Sequence, residues 1–147
     1  MARMSTRFIT ARVDKATLAS QRILTEDAER EYKSELSEVA TWWSDRIRRS
    51  GRGGSHNAQM SRIESRITST RSGRFNMRLG WLGAAPQAAD GLTTWFVYQD
   101  VGYHLFGRST FIPGLMLQID ARQRLIEGLR DANERLARKV EDQWRRV

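Results

Sequence analysis

Cysteine is absent from the 147 residues, and proline and histidine occur only twice each. Without cysteine the chain can form neither a disulfide framework nor a thiolate metal site. No apolar run approaches the roughly 20 residues that a helix needs to cross a bilayer, and the basic N-terminus lacks the apolar stretch of a secretory signal. We therefore expect a soluble protein without membrane contact that folds in a cytoplasm, and its length suits a single domain of residues 1–147.

Lysine is also scarce, and arginine in one segment carries the positive charge of the chain. Arginine outnumbers lysine 22 to 3, and the net charge is +8. Nine arginines and one acid lie between Arg46 and Arg78, whereas the rest of the chain holds 16 basic and 16 acidic residues. The whole excess therefore lies in this segment. A guanidinium fork suits phosphate and carboxylate partners, although a GC-rich genome would give the same preference for arginine.

The clearest helix of the first half is predicted over Thr25–Arg49. Apolar residues recur at every third or fourth position and form one stripe, which we interpret as core. The stripe consists of Ala28, Tyr32, Leu36, Val39, Trp43 and Ile47. Thr25 suits the N-cap, and acids follow it where the helix dipole favours negative charge. Residues 1–24 are interpreted as an N-terminal arm with an edge strand within Met1–Val13 and a helical turn near Leu18.

Residues 50–60 combine glycine with arginine, which predicts a basic loop that stays mobile until an acidic partner meets it. Beyond this loop, apolar and polar residues alternate with a period of two in Phe75–Leu82. Together with Arg66–Thr70 and a turn at residues 71–73, this pattern predicts a β-hairpin.

The second half begins with the small-residue connector Gly83–Leu92. Thr93–Tyr103 is dense in aromatic residues and fits either a strand or a short helix stopped by Gly102. A long final helix is predicted over Leu115–Arg146, and its stripe consists of Leu125, Leu129, Ala132, Leu136, Val140 and Trp144. The predicted class is α+β, with a long N-terminal helix, a small antiparallel sheet with a β-hairpin, a short aromatic segment and a long C-terminal helix.

The sequence gives little support to catalysis. His56 and His104 have no second histidine or carboxylate at ligand spacing, so we expect no metal site. The glycines of Gly51–Gly54 lack the lysine and the hydroxyl residue of a phosphate-binding P-loop. We expect a protein that is not an enzyme and needs no cofactor. Its arginines can bind an acidic protein surface or the phosphate backbone of nucleic acid, or they can simply be solvated.

One stretch of the second half resembles a known family. Tyr98-Gln99-Asp100-Val101-Gly102-Tyr103, then Phe111-Ile112-Pro113-Gly114-Leu115 and a charged amphipathic helix, is similar to the pattern of bacteriophage head–tail joining and tail-completion proteins. These minor neck components of long-tailed phages commonly carry Tyr-x-Glu-Phe-Gly-Thr, a proline-containing segment and a closing helix. Asp100 and Val101 replace the glutamate and phenylalanine of that pattern. The usual Thr-Gly-x-Leu stretch after the first helix is absent, and Ser50–Ile63 occupies its place.

The resemblance implies a structural virion protein of the neck without cofactors, assembled in the host cytoplasm. It also implies a homo-oligomer, expected as a six-fold ring through which DNA passes, that contacts neighbouring neck proteins, a portal-side adaptor or stopper, and tail-tube proteins. Packaged DNA is a possible non-specific contact.

The candidate contact residues face either a protein partner or DNA. They are Arg48, Arg49, Arg52, Arg62, Arg66, Arg71, Arg74, Tyr98, Asp100, Gly102, Tyr103, Phe111 and Pro113. Gly102 is expected to shape the backbone, and Pro113 to start or orient the last helix. The acids of Glu26–Glu38 are a candidate partner for the arginines of a neighbouring subunit, because a ring needs two complementary surfaces. Two alternatives stay open: a tail terminator that caps the tail tube, and a basic nucleic-acid-binding protein.

Overall fold

Alternating apolar side chains build a small antiparallel sheet. The computed structural model describes residues 3–4, 8–70, 73–83, 92–104 and 110–146. Within them, four strands pair antiparallel in the order β1-β2-β4-β3. These strands are β1 (Arg3–Met4), β2 (Phe8–Asp14), β3 (Glu64–Ser69) and β4 (Arg74–Gly80). The predicted hairpin is confirmed as β3 and β4, with Ile67 opposite Met77, while residues 71–72 of its turn lie outside the described residues.

The N-terminal segment predicted to hold an edge strand contains two strands: β1 lies at the edge of the sheet, as predicted, whereas the longer β2 does not. β2 lies between β1 and β4, with Ile9 opposite Leu79 and Ala11 opposite Met77. Ile9 and Ala11 are buried, so residues 8–24 belong to the folded body and do not form an arm. A half-buried strand shows the same alternation at an edge as in the middle of a sheet, so this pattern alone cannot distinguish the two positions.

The long helix of the first half is α2 (Thr25–Ser50), which follows the short helix α1 (Lys15–Ser20). All six residues of the predicted stripe in α2 are buried, which confirms its interpretation as core. Leu24, not Thr25, occupies the N-cap position, and no side chain caps this end by a hydrogen bond. Gly51 adopts a left-handed φ of 67° and ends the helix.

Residues 50–60 are largely helical, so the predicted loop is wrong for most of this segment. One turn of 3-10 helix spans Gly54–His56, and the short helix α3 spans Asn57–Met60. The Asn57 side-chain amide donates hydrogen bonds to the carbonyl oxygens of Ile47, at 3.0 Å, and Arg52, at 2.7 Å. Because these bonds form within the chain, the shape of the segment does not depend on an acidic partner.

Two helices complete the described structure. The aromatic segment forms α4 (Leu92–Val101), and the last helix is α5 (Leu117–Arg145). Residues 84–91, which include most of the predicted connector, lie outside the described residues. The stripe of α5 is buried from Leu125 to Leu136, but Val140 is only partly buried and Trp144 is 58% exposed. The Arg22 guanidinium lies 4.2 Å from the centre of the Trp144 ring, so this end of the stripe is a surface contact.

Ion pairs join α2 to α5 on the surface. Arg135 binds Glu31 at 2.9 Å and Glu35 at 2.7 Å, and Lys139 binds Asp27 at 3.1 Å. Hydrogen bonds to both glutamates raise the pKa of Arg135. The acids of Glu26–Glu38 were expected to bind a neighbouring subunit. This expectation is corrected for Asp27, Glu31 and Glu35, because these three acids pair within the chain.

Large aromatic residues fill the space between the sheet and the helices. The Trp43 and Trp81 rings meet edge to face with their centres 5.3 Å apart, and the Trp81 indole N–H donates to the Met60 carbonyl oxygen at 2.8 Å. Burial raises the pKa of Tyr32 to about 12, and its hydroxyl donates to Asn133 on α5. The predicted α+β class is thus confirmed. None of the helices described here is long and apolar enough to span a membrane.

Candidate functional site

The residues of the motif Tyr98–Leu115 described by the structure come together where α4 meets α5. After α4, the short strands β5 (Tyr103–His104) and β6 (Phe111–Ile112) pair antiparallel, and residues 113–116 then lead into α5. We call this region, residues 98–104 and 111–118, the helix junction. Residues 105–109 of its ribbon lie outside the described residues.

Gly102 turns the chain at the end of α4. Its φ is +94°, and its N–H donates to the Tyr98 carbonyl oxygen at 2.8 Å. A Cβ at this position would lie 2.6 Å from Cζ of Phe111. Only glycine adopts this conformation without strain, so the structure agrees with the backbone role predicted for Gly102.

Asp100 caps the last helix from a different helix. Its carboxylate accepts the N–H of Leu117 at 2.8 Å and the N–H of Gln118 at 3.2 Å. These are N–H groups at the start of α5 that have no partner within that helix. Asp100 is only 2% exposed, so its predicted role as a surface contact is wrong. Burial raises its pKa, and the two backbone hydrogen bonds partly offset that rise.

The turn between β6 and α5 lies directly against the end of α4. The N–H of Leu115 donates to the Gln99 carbonyl oxygen at 3.1 Å, and the N–H of Met116 donates to the Asp100 carbonyl oxygen at 2.8 Å. Pro113 does not start the helix, because α5 begins at Leu117 with Met116 at its N-cap. Backbone contacts with α4 orient α5 instead, and the predicted role of Pro113 is corrected to that of a turn residue.

Arg52 ties the basic segment to the helix junction. Its guanidinium donates to Oε1 of Gln99 at 3.2 Å and to the Pro113 carbonyl oxygen at 2.6 Å. Arg52 is half-buried and Gln99 is buried. An arginine engaged in this way fixes the junction, and its predicted availability to an external partner is corrected accordingly.

We expect the replacement of Arg52 by alanine to lower the free energy of unfolding by about 2 kcal/mol, because hydrogen bonds from a charged donor contribute about 1.5–3 kcal/mol. Urea denaturation measures this loss. Arg48→Ala is the matched control, since Arg48 is 65% exposed and bonds only to Asp45 among the described contacts; it should cost less than about 0.5 kcal/mol. Equal losses in the two variants would show that the Arg52 bonds do not hold the junction.

Apolar side chains project from this fixed framework into solvent. Tyr98 is 51% exposed and Val101 44%, and they lie three residues apart on one face of α4. Phe111 is 52% exposed beside Gly102, and Met116 and Ile119 are 44% and 48% exposed at the start of α5. We call these five residues the apolar patch. Pro113 is exposed and Tyr103 half-buried in the same region.

The other arginine candidates do not form one cluster. Arg48 and Arg49 are exposed at the end of α2, and Arg62 is exposed after α3. Arg66 and Arg74 project from the sheet, where Arg74 binds Asp14 at 3.1 Å. Arg71 lies outside the described residues. The arginines of Arg46–Arg78, which are close together in the sequence, are therefore divided in the fold between a helix end, the helix junction and a sheet face.

No protein-family model, curated protein or solved structure matched the chain in comparisons with each. The fold itself defines a small α+β protein in which two long helices cover one face of a four-stranded antiparallel sheet. In the part of the chain described here, no group of three or more histidine, aspartate or glutamate residues could hold a metal ion.

Two residues of the helix junction were not among the candidate residues predicted from the sequence. Gln99 is buried and accepts the Arg52 hydrogen bond, and Gly114 lies so close to α4 that a Cβ would meet the Asp100 carbonyl oxygen at 2.1 Å. The glycine following Pro113 was a visible signal, because Pro-Gly marks a tight turn. Nothing in the local sequence indicates the partner of Gln99, which lies 47 residues away.

Proposed function

We propose that the protein is a structural component of the neck of a long-tailed bacteriophage, which joins head to tail or completes the tail by oligomerising through the apolar patch. The observation that carries this proposal is that the motif residues build a hydrogen-bonded junction with large apolar side chains exposed on its outside. Aromatic residues and methionine are enriched in protein interfaces. A buried aspartate cap and several backbone hydrogen bonds hold the backbone from which these side chains project, and a preorganised backbone lowers the entropy cost of association.

The division of roles within the motif supports an assembly function. Asp100 and Gly102 face inward and hold the junction together, whereas Tyr98, Val101 and Phe111 face outward. Head-to-tail contacts join two different surfaces of neighbouring copies. They form a ring when the rotation from one copy to the next closes on itself. A six-fold ring that encloses the DNA path and contacts an adaptor or stopper on the portal side and the tail tube fits this proposal.

Mass photometry tests oligomerisation with a matched pair of double variants. We expect the wild type to reach a mass near six times the 17.0 kDa of one chain. Val101→Ser with Phe111→Ser should raise the dissociation constant at least about 100-fold, because residues central to an interface often contribute 2 kcal/mol or more each. Leu24→Ser with Trp144→Ser removes apolar side chains that are 62% and 58% exposed away from the junction and should leave the mass unchanged.

Immunoelectron microscopy of purified particles tests the location. An antibody against the chain should label the site where head and tail meet. Label at the end of isolated tail tubes, with none on heads, would indicate a tail terminator instead. A protein that stays monomeric with and without the other neck components, and that never joins particles, would exclude the proposal.

A further inference from the structure

The outer face of the sheet carries a second surface, which is polar and basic. Because side chains alternate across a strand, the residues between the core positions of β2, β3 and β4 project away from the helices. We call the following set the outer sheet face: Thr10, Arg12, Arg66, Thr68, Asn76 and Arg78. These six residues line a shallow cavity of about 250 Å³. Arg12 lies outside the arginine-rich segment of the sequence and reaches this face only through the pairing of β2 with β4.

The register of the strands places like charges side by side. Arg66 on β3 is directly opposite Arg78 on β4, and both are exposed. Cross-strand neighbours have Cβ atoms about 5 Å apart, and like charges in this position destabilise a sheet. The acids of this face lie at its ends, where Asp14 binds Arg74 at 3.1 Å and Glu64 lies opposite Gly80. An anion between Arg66 and Arg78 would remove their repulsion.

We propose that the outer sheet face binds the phosphate backbone of duplex nucleic acid without reading its bases. Guanidinium groups bind phosphate in a bidentate manner, and hydroxyl and amide side chains such as those of Thr68 and Asn76 also donate to phosphate oxygens. This surface is separate from the apolar patch, so the inference does not rest on the proposed neck function.

Two observations favour the duplex backbone over other anionic partners. Single-stranded nucleic acid is held by exposed aromatic rings on which bases stack. Among the described side chains of this face the aromatic one is Phe8, which is half-buried and lies 5.2 Å from the Arg78 guanidinium. Three of the acids on α2, namely Asp27, Glu31 and Glu35, bind α5 and are therefore less available to a second copy of the chain. Duplex DNA presents regularly spaced phosphates that need no specific partner sequence.

Fluorescence anisotropy with two unrelated duplexes of about 20 base pairs tests the inference. Neutralising about three phosphates makes affinity fall about 40-fold between about 50 and 200 mM salt. For Arg66→Gln with Arg78→Gln this fall should shrink to about 3.5-fold, and for each single variant to about 12-fold. Arg48→Gln with Arg49→Gln removes the same charge from the end of α2 and should keep the fall near 40-fold.

Each outcome either supports or overturns the inference. The inference is supported if the wild type binds both duplexes with equal affinity and only the Arg66 and Arg78 variants lose that affinity. Greater loss in the Arg48 and Arg49 variant would move the contact to the end of α2 and overturn it. No binding of the wild type to duplex at the lower salt concentration, together with binding of poly-glutamate through Arg66 and Arg78, would also overturn it and indicate an acidic protein partner. Thermal unfolding of each variant confirms that these exposed substitutions leave the fold intact.

Discussion

Replacement of Gly114 by alanine is expected to lower the free energy of unfolding by about 3 kcal/mol, at the upper end of the range for overpacked sites. The new Cβ would lie 2.1 Å from the Asp100 carbonyl oxygen and 2.4 Å from the Gly102 nitrogen. Both atoms belong to the backbone at the end of α4, so relief requires the turn and the helix to separate. For a chain of this length the melting temperature should fall by about 6–12 °C, which thermal and urea denaturation can measure.

Gly128→Ala is the matched control for this prediction. Its Cβ would also meet an atom closely, Oε2 of Glu35 at 2.5 Å, but that atom ends a side chain that can shift by adjusting its ion pair with Arg135. Gly128 lies inside α5, where alanine favours the helix by up to about 1 kcal/mol over glycine. We therefore expect a small change of either sign. A Gly114→Ala variant as stable as Gly128→Ala would show that the turn does not pack against α4 as described.

The helices and the hairpin could be predicted because their information is local. The stripe of α2 from Ala28 to Ile47 extends over about five turns of helix, and every predicted member is buried. The alternation of Phe75, Met77 and Leu79 likewise identifies the inward face of β4. A periodic pattern shows which side of an element is buried, but it does not show which other element covers that side.

The errors arise where distant residues meet. The central position of β2 depends on pairing with β4, whose residues follow their partners by 60 positions or more in the chain. The stripe of α5 predicts a buried Trp144, yet the helix extends beyond the core and leaves this ring exposed. Nor does any local pattern show that Arg52 binds Gln99 and Pro113. The charge of Arg46–Arg78 predicted a single basic surface. The fold does not form it, because long-range contacts distribute these arginines over several surfaces.

The same limit applies to the motif at the helix junction, which is the candidate functional site. Its glycine was correctly expected to shape the backbone, because a left-handed conformation follows from residue type. Its aspartate was expected at the surface, as unpaired acids usually are. The structure buries Asp100 because the N–H groups at the start of α5 supply the hydrogen bonds that a buried carboxylate needs.

Replacement of Asp100 by alanine should lower the free energy of unfolding by about 2–3 kcal/mol. The variant leaves the N–H groups of Leu117 and Gln118 without an acceptor in a buried place, where each unsatisfied group costs about 1–3 kcal/mol. The loss of the unfavourable burial of a charged group offsets part of this cost. Asp120→Ala removes an exposed acid from the same first turn and should cost only about 0.5 kcal/mol. Urea denaturation compares the two variants, and equal costs would contradict the capping role.

The pH dependence of Asp100→Asn separates the effect of charge from that of shape. Because burial raises the pKa of Asp100 in the folded protein, the folded state holds this proton more tightly than the unfolded state. The resulting stabilisation is complete below the unfolded pKa of 3.8 and is lost as the pH rises through the raised folded value. The stability of the wild type relative to Asp100→Asn should therefore increase as the pH falls from neutral towards the unfolded pKa, and comparison with the variant cancels the titration of the other acids. A relative stability that decreases over this range would mean that the two backbone hydrogen bonds outweigh burial and that the charged carboxylate is the better cap.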